Sequence, residues 1–254
     1  MFTVEQRDAL RSRMLELAEE DEHVVAGAAV GSLSVGSGDR FSDLDLTFAI
    51  VDGASVAEAL DRWTRILTEE LGAVRLTDLE AGSTIYRIFL LPDALQFDLS
   101  LTPATVFRPK GPKFQLLFGE IAPGDAEPSK GDLSNPTPAV AEDIFGWGVI
   151  YALHARACIE RGRVWQAEHY VDTVRDHALS LACLNRGLPA AQARGYDDLP
   201  AESLAGYDRT HVGSLDPYAL RTALAAATRA LLREAANGEM PHADVVGEWL
   251  AELQ

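Results

Sequence analysis

Residues Val30 to Ile50 read VGSLSVGSGDRFSDLDLTFAI. An apolar run ends at Gly31-Ser32, and after a Gly/Ser-rich bend a second apolar run carries Asp43 and Asp45 at alternate positions. Because alternate residues of a β-strand share a face, both acids lie on one face, opposite the leucines that follow each of them. Two carboxylates held side by side over a buried face repel each other unless a cation binds there. The stretch therefore indicates a metal site beside a glycine turn that suits phosphate.

A third acid comes from a distant segment. Leu95 to Leu101 reads LQFDLSL, so Asp98 alternates with apolar residues and projects from one face of a predicted strand. If this strand lies beside the Asp43–Val51 strand, three carboxylates converge and can hold two Mg²⁺ ions. Gly31-Ser32 would then supply backbone N–H groups and a hydroxyl to phosphates at the same place. The ordinary alternative is that these acids are solvated residues on an exposed sheet face.

Competing motifs explain the stretch less well. Gly31 to Gly36 has the glycine spacing of a P-loop, but Ser37 stands where the phosphate-binding lysine is required. No GxGxxG follows a strand, and no GxSxG nucleophile elbow occurs. An Asp-x-Asp pair also binds metal in nucleotide-sugar glycosyltransferases, but that role leaves Gly31-Ser32 unexplained.

Hydrophobic spacing predicts an α+β fold. The first half is predicted to contain helices Val4–Glu20 and Ala54–Leu71 and strands Val24–Val30, Asp43–Val51, Ala73–Leu79, Thr84–Leu91 and Leu95–Leu101, the last two joined by a hairpin corner at Pro92-Asp93. The second half is predicted to be a helical bundle with helices Val140–Arg161, Val164–Arg186, Tyr218–Ala236 and His242–Leu253. The predicted domains are a mixed-sheet domain at 1–125, a Pro/Gly/Ser-rich linker at 126–138 and a helical domain at 139–254.

Composition limits the partners and the compartment. A net charge of -17 makes nucleic acid an unlikely partner and favours a cationic small molecule. Cys158 and Cys183 lie in apolar helical surroundings without metal-ligand spacing, which is typical of thiols in a reducing compartment. With a polar N-terminus and no membrane-length apolar run, the sequence predicts a cytoplasmic protein without a membrane partner. Nothing in the sequence indicates its oligomeric state.

The arrangement resembles the nucleotidyltransferase superfamily that includes DNA polymerase beta and the aminoglycoside nucleotidyltransferases. The shared pattern is Val30-Gly31-Ser32, a spacer, Asp43-Leu44-Asp45-Leu46 and the later Asp98. The resemblance implies a nucleotidyltransferase domain in which the three acids bind Mg²⁺ and act in catalysis, while Gly31 and Ser32 bind the nucleotide. The helical half is similar in size and position to that of the bacterial antibiotic-modifying branch.

Further candidates have equally plausible ordinary roles. Arg40 is either a phosphate ligand or a surface charge, and Ser42 either contacts nucleotide or steadies the acid-bearing loop. In the helical half, Glu168 and Asp172 are candidate proton acceptors and Arg175 a candidate triphosphate ligand, although a solvated ion-paired stripe explains the same spacing. Lys110 and Lys113 are candidates for phosphate contact, and lysines in such loops are usually only solvated.

The sequence thus predicts an enzyme that transfers a nucleoside monophosphate, AMP from ATP, to a hydroxyl of a small molecule such as an aminoglycoside. Two alternatives remain. One is a catalytically degenerate binding or antitoxin module with the same fold. The other is an enzyme that modifies a protein or RNA hydroxyl.

Overall fold

A computed structural model describes residues 1–109, 112–123 and 141–253 of the chain. The chain divides into two compact units, Met1–Thr137 and Pro138–Gln254. The first contains a mixed sheet with helices and the second is helical, which confirms the predicted α+β class. The predicted linker, 126–138, lies outside the described residues, and its bounds stay a prediction.

The elements of the first unit follow the predicted order. They are α1 (Val4–Glu20), β1 (Val24–Val30), β2 (Leu44–Ile50), α2 (Val56–Leu71), β3 (Val74–Ala81), β4 (Thr84–Leu91), β5 (Leu95–Pro103) and β6 (Phe114–Phe118). Among the described residues the six strands form one sheet in the order β3-β4-β5-β2-β1-β6. Strands β2 and β5 run parallel, and the other neighbouring pairs run antiparallel. The short turn Pro92–Ala94 joins β4 to the antiparallel β5, as the predicted hairpin corner requires.

Strand β6 was not predicted. It pairs only with β1 within the described part of the chain, so it lies at an edge of the sheet. Its residues are exposed or half-buried, and its sequence, FQLLF, lacks strict alternation. An edge strand that is only half covered buries little apolar surface on either face. Its sequence therefore does not need to alternate between apolar and polar residues.

One face of the sheet packs on α1 and α2. Helix α2 begins after Ser55, whose hydroxyl accepts from the Glu58 N–H, and ends at Gly72 in the left-handed region. Its fully buried Trp63 meets Phe48 of β2, with the ring centroids 5.1 Å apart. The buried alternate residues of β2 and β5 complete this core: Leu44, Leu46, Phe48, Ile50, Phe97, Leu99 and Leu101. Because this face is dry and packed, the acids of β2 and β5 must project from the opposite face.

The second unit is built on helices that pack on one another. They are α3 (Ala141–Glu160), α4 (Val164–Leu184), the single-turn α5 (Ala201–Leu204), α6 (Pro217–Asn237) and α7 (Ala243–Trp249). Helices α3, α4 and α6 form its centre, and α3 is buried around most of its circumference. The predicted helix His242–Leu253 is shorter than expected, because α7 ends at Trp249 and a separate 3-10 turn spans Ala251–Leu253. Within the described ranges, no helix combines the length and the apolarity needed to cross a bilayer.

Candidate metal centre

The two acids of the Asp-x-Asp motif stand at the start of β2. Asp43 immediately precedes the strand and Asp45 is its second residue. Their neighbours Leu44 and Leu46 are buried on the helical side, while both acids keep part of their surface exposed on the opposite side. The predicted division of this strand into an acidic and an apolar face is therefore confirmed.

Asp98 completes the cluster from the neighbouring strand. In the parallel pairing of β2 and β5, Asp98 is the register partner of Asp45. Carboxylate oxygens of Asp43, Asp45 and Asp98 lie within 4.8 Å of one another. The two strands are neighbours, as the sequence analysis required, and the three carboxylates lie close enough together to share a metal ion.

The three carboxylates perturb one another. Burial first, and then the charge of Asp43, raises the pKa of Asp98 to about 7, although a hydrogen bond from Gln96 opposes the shift. Burial and the charges of Asp43 and Asp98 raise the pKa of Asp45 well above its usual value, and Lys113 acts in the opposite direction. Raised pKa values mean that negative charge is under-compensated here, which is the condition that a bound cation relieves.

The glycine turn touches the acid cluster directly. Gly31 follows β1 with φ +70, and a Cβ built on it would overlap the carboxylate of Asp45. Ser32 then begins a 3-10 turn, Leu33–Val35, and the Ser34 hydroxyl donates to the Gly31 carbonyl at 2.8 Å. The turn at Gly31-Ser32 and the carboxylates therefore belong to one site, and glycine is required both for its backbone angle and for the space it leaves.

Hydrogen bonds from buried side chains hold the loop that leads into β2. The buried hydroxyl of Ser42 accepts from the Asp39 N–H at 2.9 Å and donates to Asp39 Oδ1 at 3.3 Å. A buried arginine, Arg7 of α1, donates through Nη1 to the carbonyls of Asp39 at 2.7 Å and Ser42 at 3.2 Å. These bonds agree with the predicted steadying role of Ser42, whose contact with nucleotide stays a prediction.

Arg7 is a buried partner of the acid-bearing loop that the sequence analysis did not single out. It lies on the buried stripe of α1 with Leu10, Met14 and Leu17. The sequence carried a signal for this role, because the helical spacing of Arg7 with these three apolar residues predicts that its side chain is buried. A buried arginine needs hydrogen-bond partners. Those partners turn out to be the carbonyls of the acid-bearing loop.

Two other basic candidates near the first unit's site have different surroundings. Arg40 is exposed, and its guanidinium lies over the ring of Phe41, 4.6 Å from the centroid. Lys113 is exposed just before β6, and its charge acts on Asp45. Lys110 lies outside the described residues. Of the described basic candidates in this unit, Lys113 is therefore the one whose charge lowers the pKa of Asp45.

The helical candidates form a polar stripe of α4. Glu168 is half-buried there, and Arg175 pairs with Asp172 one helical turn away and with Asp176 at 3.6 Å. Arg175 Nη1 also lies 3.3 Å from His211 Nδ1. The ion-paired arrangement expected from the spacing is present, and the roles of Glu168 and Arg175 toward a nucleotide stay predictions.

Comparison with known proteins adds little to this geometry. No protein-family model and no curated protein matches the chain. Among solved structures, the chain is similar to an aminoglycoside 6-adenyltransferase from Bacillus subtilis, with 15% identity over 94% of this chain and 89% of that one. The TM-score is 0.32. With overall agreement this low, the function has to follow from the chain's own residues.

Proposed function

We propose that this protein is a metal-dependent nucleotidyltransferase that moves a nucleoside monophosphate from a nucleoside triphosphate to a hydroxyl of a small molecule. ATP is the proposed donor, and pyrophosphate is the second product. The observation that supports this proposal is the convergence of Asp43, Asp45 and Asp98 within 4.8 Å, beside the turn at Gly31-Ser32.

The acid cluster offers ligands for a metal, and we propose that it would hold two Mg²⁺ ions. All three side chains offer hard, charged oxygen ligands, the kind that Mg²⁺ prefers. At an effective dielectric of about 20, two full charges 4.8 Å apart repel by roughly 3–4 kcal/mol, and either protonation or a bound cation relieves this repulsion. Bound Mg²⁺ supplies positive charge that activates an attacking hydroxyl and neutralises the phosphates of the donor.

The remaining roles belong to residues of the chain. Backbone N–H groups and the hydroxyl at Gly31-Ser32 would bind the phosphates that leave. The acceptor oxygen bonds to the α-phosphorus as the bond from that phosphorus to the pyrophosphate oxygen breaks in line. The hydroxyl proton passes to a base, for which Glu168 is the candidate that the sequence suggests. Most of the rate enhancement would come from holding the reactants in line.

Arg40, Ser42 and Arg175 have lesser parts in the proposal. Arg40 and Arg175 remain candidate phosphate ligands on the strength of the sequence. The hydroxyl of Ser42 is occupied by Asp39, so we assign it to positioning Asp43 rather than to direct contact with nucleotide.

The test is transfer of label from ATP labelled at the α-phosphate, with Mg²⁺ and a panel of hydroxyl compounds and antibiotics, in parallel with a whole-cell lysate. We expect label in a small molecule, and Asp45→Asn to lower the rate by about a hundredfold or more. Asp52→Asn, a change of the same kind at an exposed loop residue, serves as the control and should keep the rate.

Other outcomes identify the alternatives. Label in a macromolecular band would mean that the acceptor is a protein or RNA. Nucleotide binding without any transfer would support the degenerate binding or antitoxin module.

A further inference from the structure

Gln96 is a buried polar residue on the strand that carries Asp98. It is 5% exposed, and its Nε2 donates to Asp98 Oδ1 at 3.0 Å. The two residues are one same-face position apart on β5, about 7 Å, and Phe97 between them is buried in the core on the opposite face. The amide therefore lies on the acidic face of the sheet, in contact with a proposed metal ligand.

The register of the sheet brings Gln96 beside a second acid. In the parallel pairing of β2 and β5, Asp45 is opposite Asp98. The same register, extended by two residues toward the start of both strands, places Asp43 opposite Gln96. An ionised carboxylate can only accept hydrogen bonds, so the NH2 group of the amide, and not its carbonyl, has to face these acids. Gln96 is therefore a hydrogen-bond donor to the acid cluster.

The hydrogen bond distinguishes the two oxygens of Asp98. Oδ1 holds the N–H of a buried amide, which has little room to move away. In metal sites the ligating carboxylates are themselves hydrogen-bonded to the protein, and these bonds fix the direction in which the ligand oxygen points. With Oδ1 held by Gln96, Oδ2 is the oxygen that Asp98 would offer to a metal ion. Asp98 would then bind through one oxygen and not through both.

A carboxylate fixed in this way suits Mg²⁺ better than Ca²⁺. Mg²⁺ requires a nearly ideal octahedron of oxygens at about 2.0–2.1 Å, whereas Ca²⁺ takes about six to eight oxygens at longer distances and often binds both oxygens of one carboxylate. Holding Asp98 to one oxygen leaves the Mg²⁺ geometry intact. It removes a ligand atom that Ca²⁺ would otherwise use.

We infer that Gln96 is a positioning residue of the metal centre, which holds Asp98 as a one-oxygen ligand and thereby favours Mg²⁺ over Ca²⁺. The inference rests on the metal site of the proposed function, and it does not depend on which group is transferred or to what acceptor. Gln96 acts on the metal only through Asp98, so its effect has to disappear when that carboxylate is removed.

The metal ions alone test the preference, with Mg²⁺ and Ca²⁺ titrated separately into the full chain by calorimetry, without nucleotide. Gln96→Met keeps the length of the side chain and removes the donor, and Gln96→Leu provides a second apolar variant. We expect the Mg²⁺ affinity to fall about tenfold and the Ca²⁺ affinity to change less than about threefold. Gln115→Met makes the same change at an exposed position of β6 and should leave both affinities unchanged. Equal losses for the two ions in the Gln96 variants, or no loss, would overturn the inference.

A double-mutant cycle tests whether Gln96 acts through Asp98. The probe is Mn²⁺, which suits the same oxygen ligands. Gln96→Met should lower the Mn²⁺ affinity about tenfold in the unchanged chain and less than about twofold in the Asp98→Asn background, because the carboxylate that it positions is then gone. A substitution that only loosened β5 would lower the affinity by the same factor in both backgrounds, and that result would overturn the inference.

Label transfer from ATP is a separate measurement that keeps the two proposals apart. If Gln96→Met loses the preference for Mg²⁺ but the unchanged chain transfers no label, the proposed function alone is refuted. If the unchanged chain transfers label but Gln96→Met keeps the preference, this inference alone is refuted. Failure of the unchanged chain to bind either ion at millimolar concentration without nucleotide would also overturn this inference.

Discussion

The backbone of Gly31 lies so close to the carboxylate of Asp45 that a Cβ atom on Gly31 would overlap Asp45 Oδ2. The contact joins the end of β1 to the start of β2 and brings the turn at Gly31-Ser32 next to the acid cluster. A glycine that served only as a flexible hinge would need its backbone freedom, but it would not need to lie against the Asp45 carboxylate. The contact therefore links Gly31 to the geometry of the metal site.

Gly31→Ala should lower the affinity for divalent metal. The added methyl group has to displace the Asp45 carboxylate, and we expect at least about a tenfold loss in a Mn²⁺ titration. Gly36→Ala is the matched control, since Gly36 also has a positive φ, +67, but open space around the added carbon. Both variants lose about 1–2 kcal/mol from backbone strain. Equal metal affinity in the two variants would contradict the account.

Arg7→Ala should loosen the acid-bearing loop. It leaves the carbonyls of Asp39 and Ser42 without their buried donor, and we expect the free energy of unfolding to fall by about 2–3 kcal/mol. Metal affinity should fall as well, because Asp43 follows this loop. Arg13→Ala on the same helix removes a more exposed ion pair with Glu70 and should change metal affinity little. A loss of stability with unchanged metal affinity would show that the hydrogen bonds from Arg7 do not position the acids.

Metal-free protein should lose stability as the pH rises from 3.8 toward 7. The pKa of Asp98 is raised to about 7, so over this interval the folded state binds more protons than the unfolded state does. Stability therefore falls with pH, by at most about 1.4 kcal/mol per unit for each such group, and levels off above the folded-state pKa. Asp98→Asn should remove much of this slope in chemical denaturation at several pH values.

Added Mg²⁺ should act in the opposite direction. Metal binding requires deprotonated ligands, so the thermal stabilisation by Mg²⁺ should grow as the pH rises from 6 to about 8. An Mg²⁺ effect that is the same at both ends of this range would contradict binding at the raised-pKa carboxylates.

Glu168→Gln tests the candidate base of the helical unit. Loss of a general base lowers turnover by about a hundredfold or more and leaves nucleotide binding intact. Glu202→Gln, on the short helix α5, is a control at an exposed glutamate. Equal turnover of the two variants would remove Glu168 from the mechanism and leave the acid cluster untouched.

The acid cluster could be predicted because strand alternation is a strong local signal. Leu44 and Leu46 identify the buried face of β2, and Leu95 to Leu101 identify that of β5, so the acids had to lie opposite. Their convergence needed one further fact, the pairing of β2 with β5. Pairing between strands this far apart is a tertiary property. The sequence analysis therefore left the adjacency of these strands as a condition, and did not predict that they run parallel.

Other features could not be derived from local pattern. The fit of Gly31 against Asp45 depends on two backbones meeting at a distance of a few ångströms, and the role of Arg7 depends on where α1 meets the acid-bearing loop. Each of these follows from packing between segments that are distant in the chain.

The central claim is that Asp43, Asp45 and Asp98 hold the metal on which a nucleoside triphosphate reacts. A crystal structure with Mg²⁺ and a non-hydrolysable ATP analogue tests it most directly. The account predicts Mg²⁺ bound by all three carboxylates, with the terminal phosphates at Gly31-Ser32. Nucleotide bound elsewhere, or Mg²⁺ bound without these carboxylates, would contradict it.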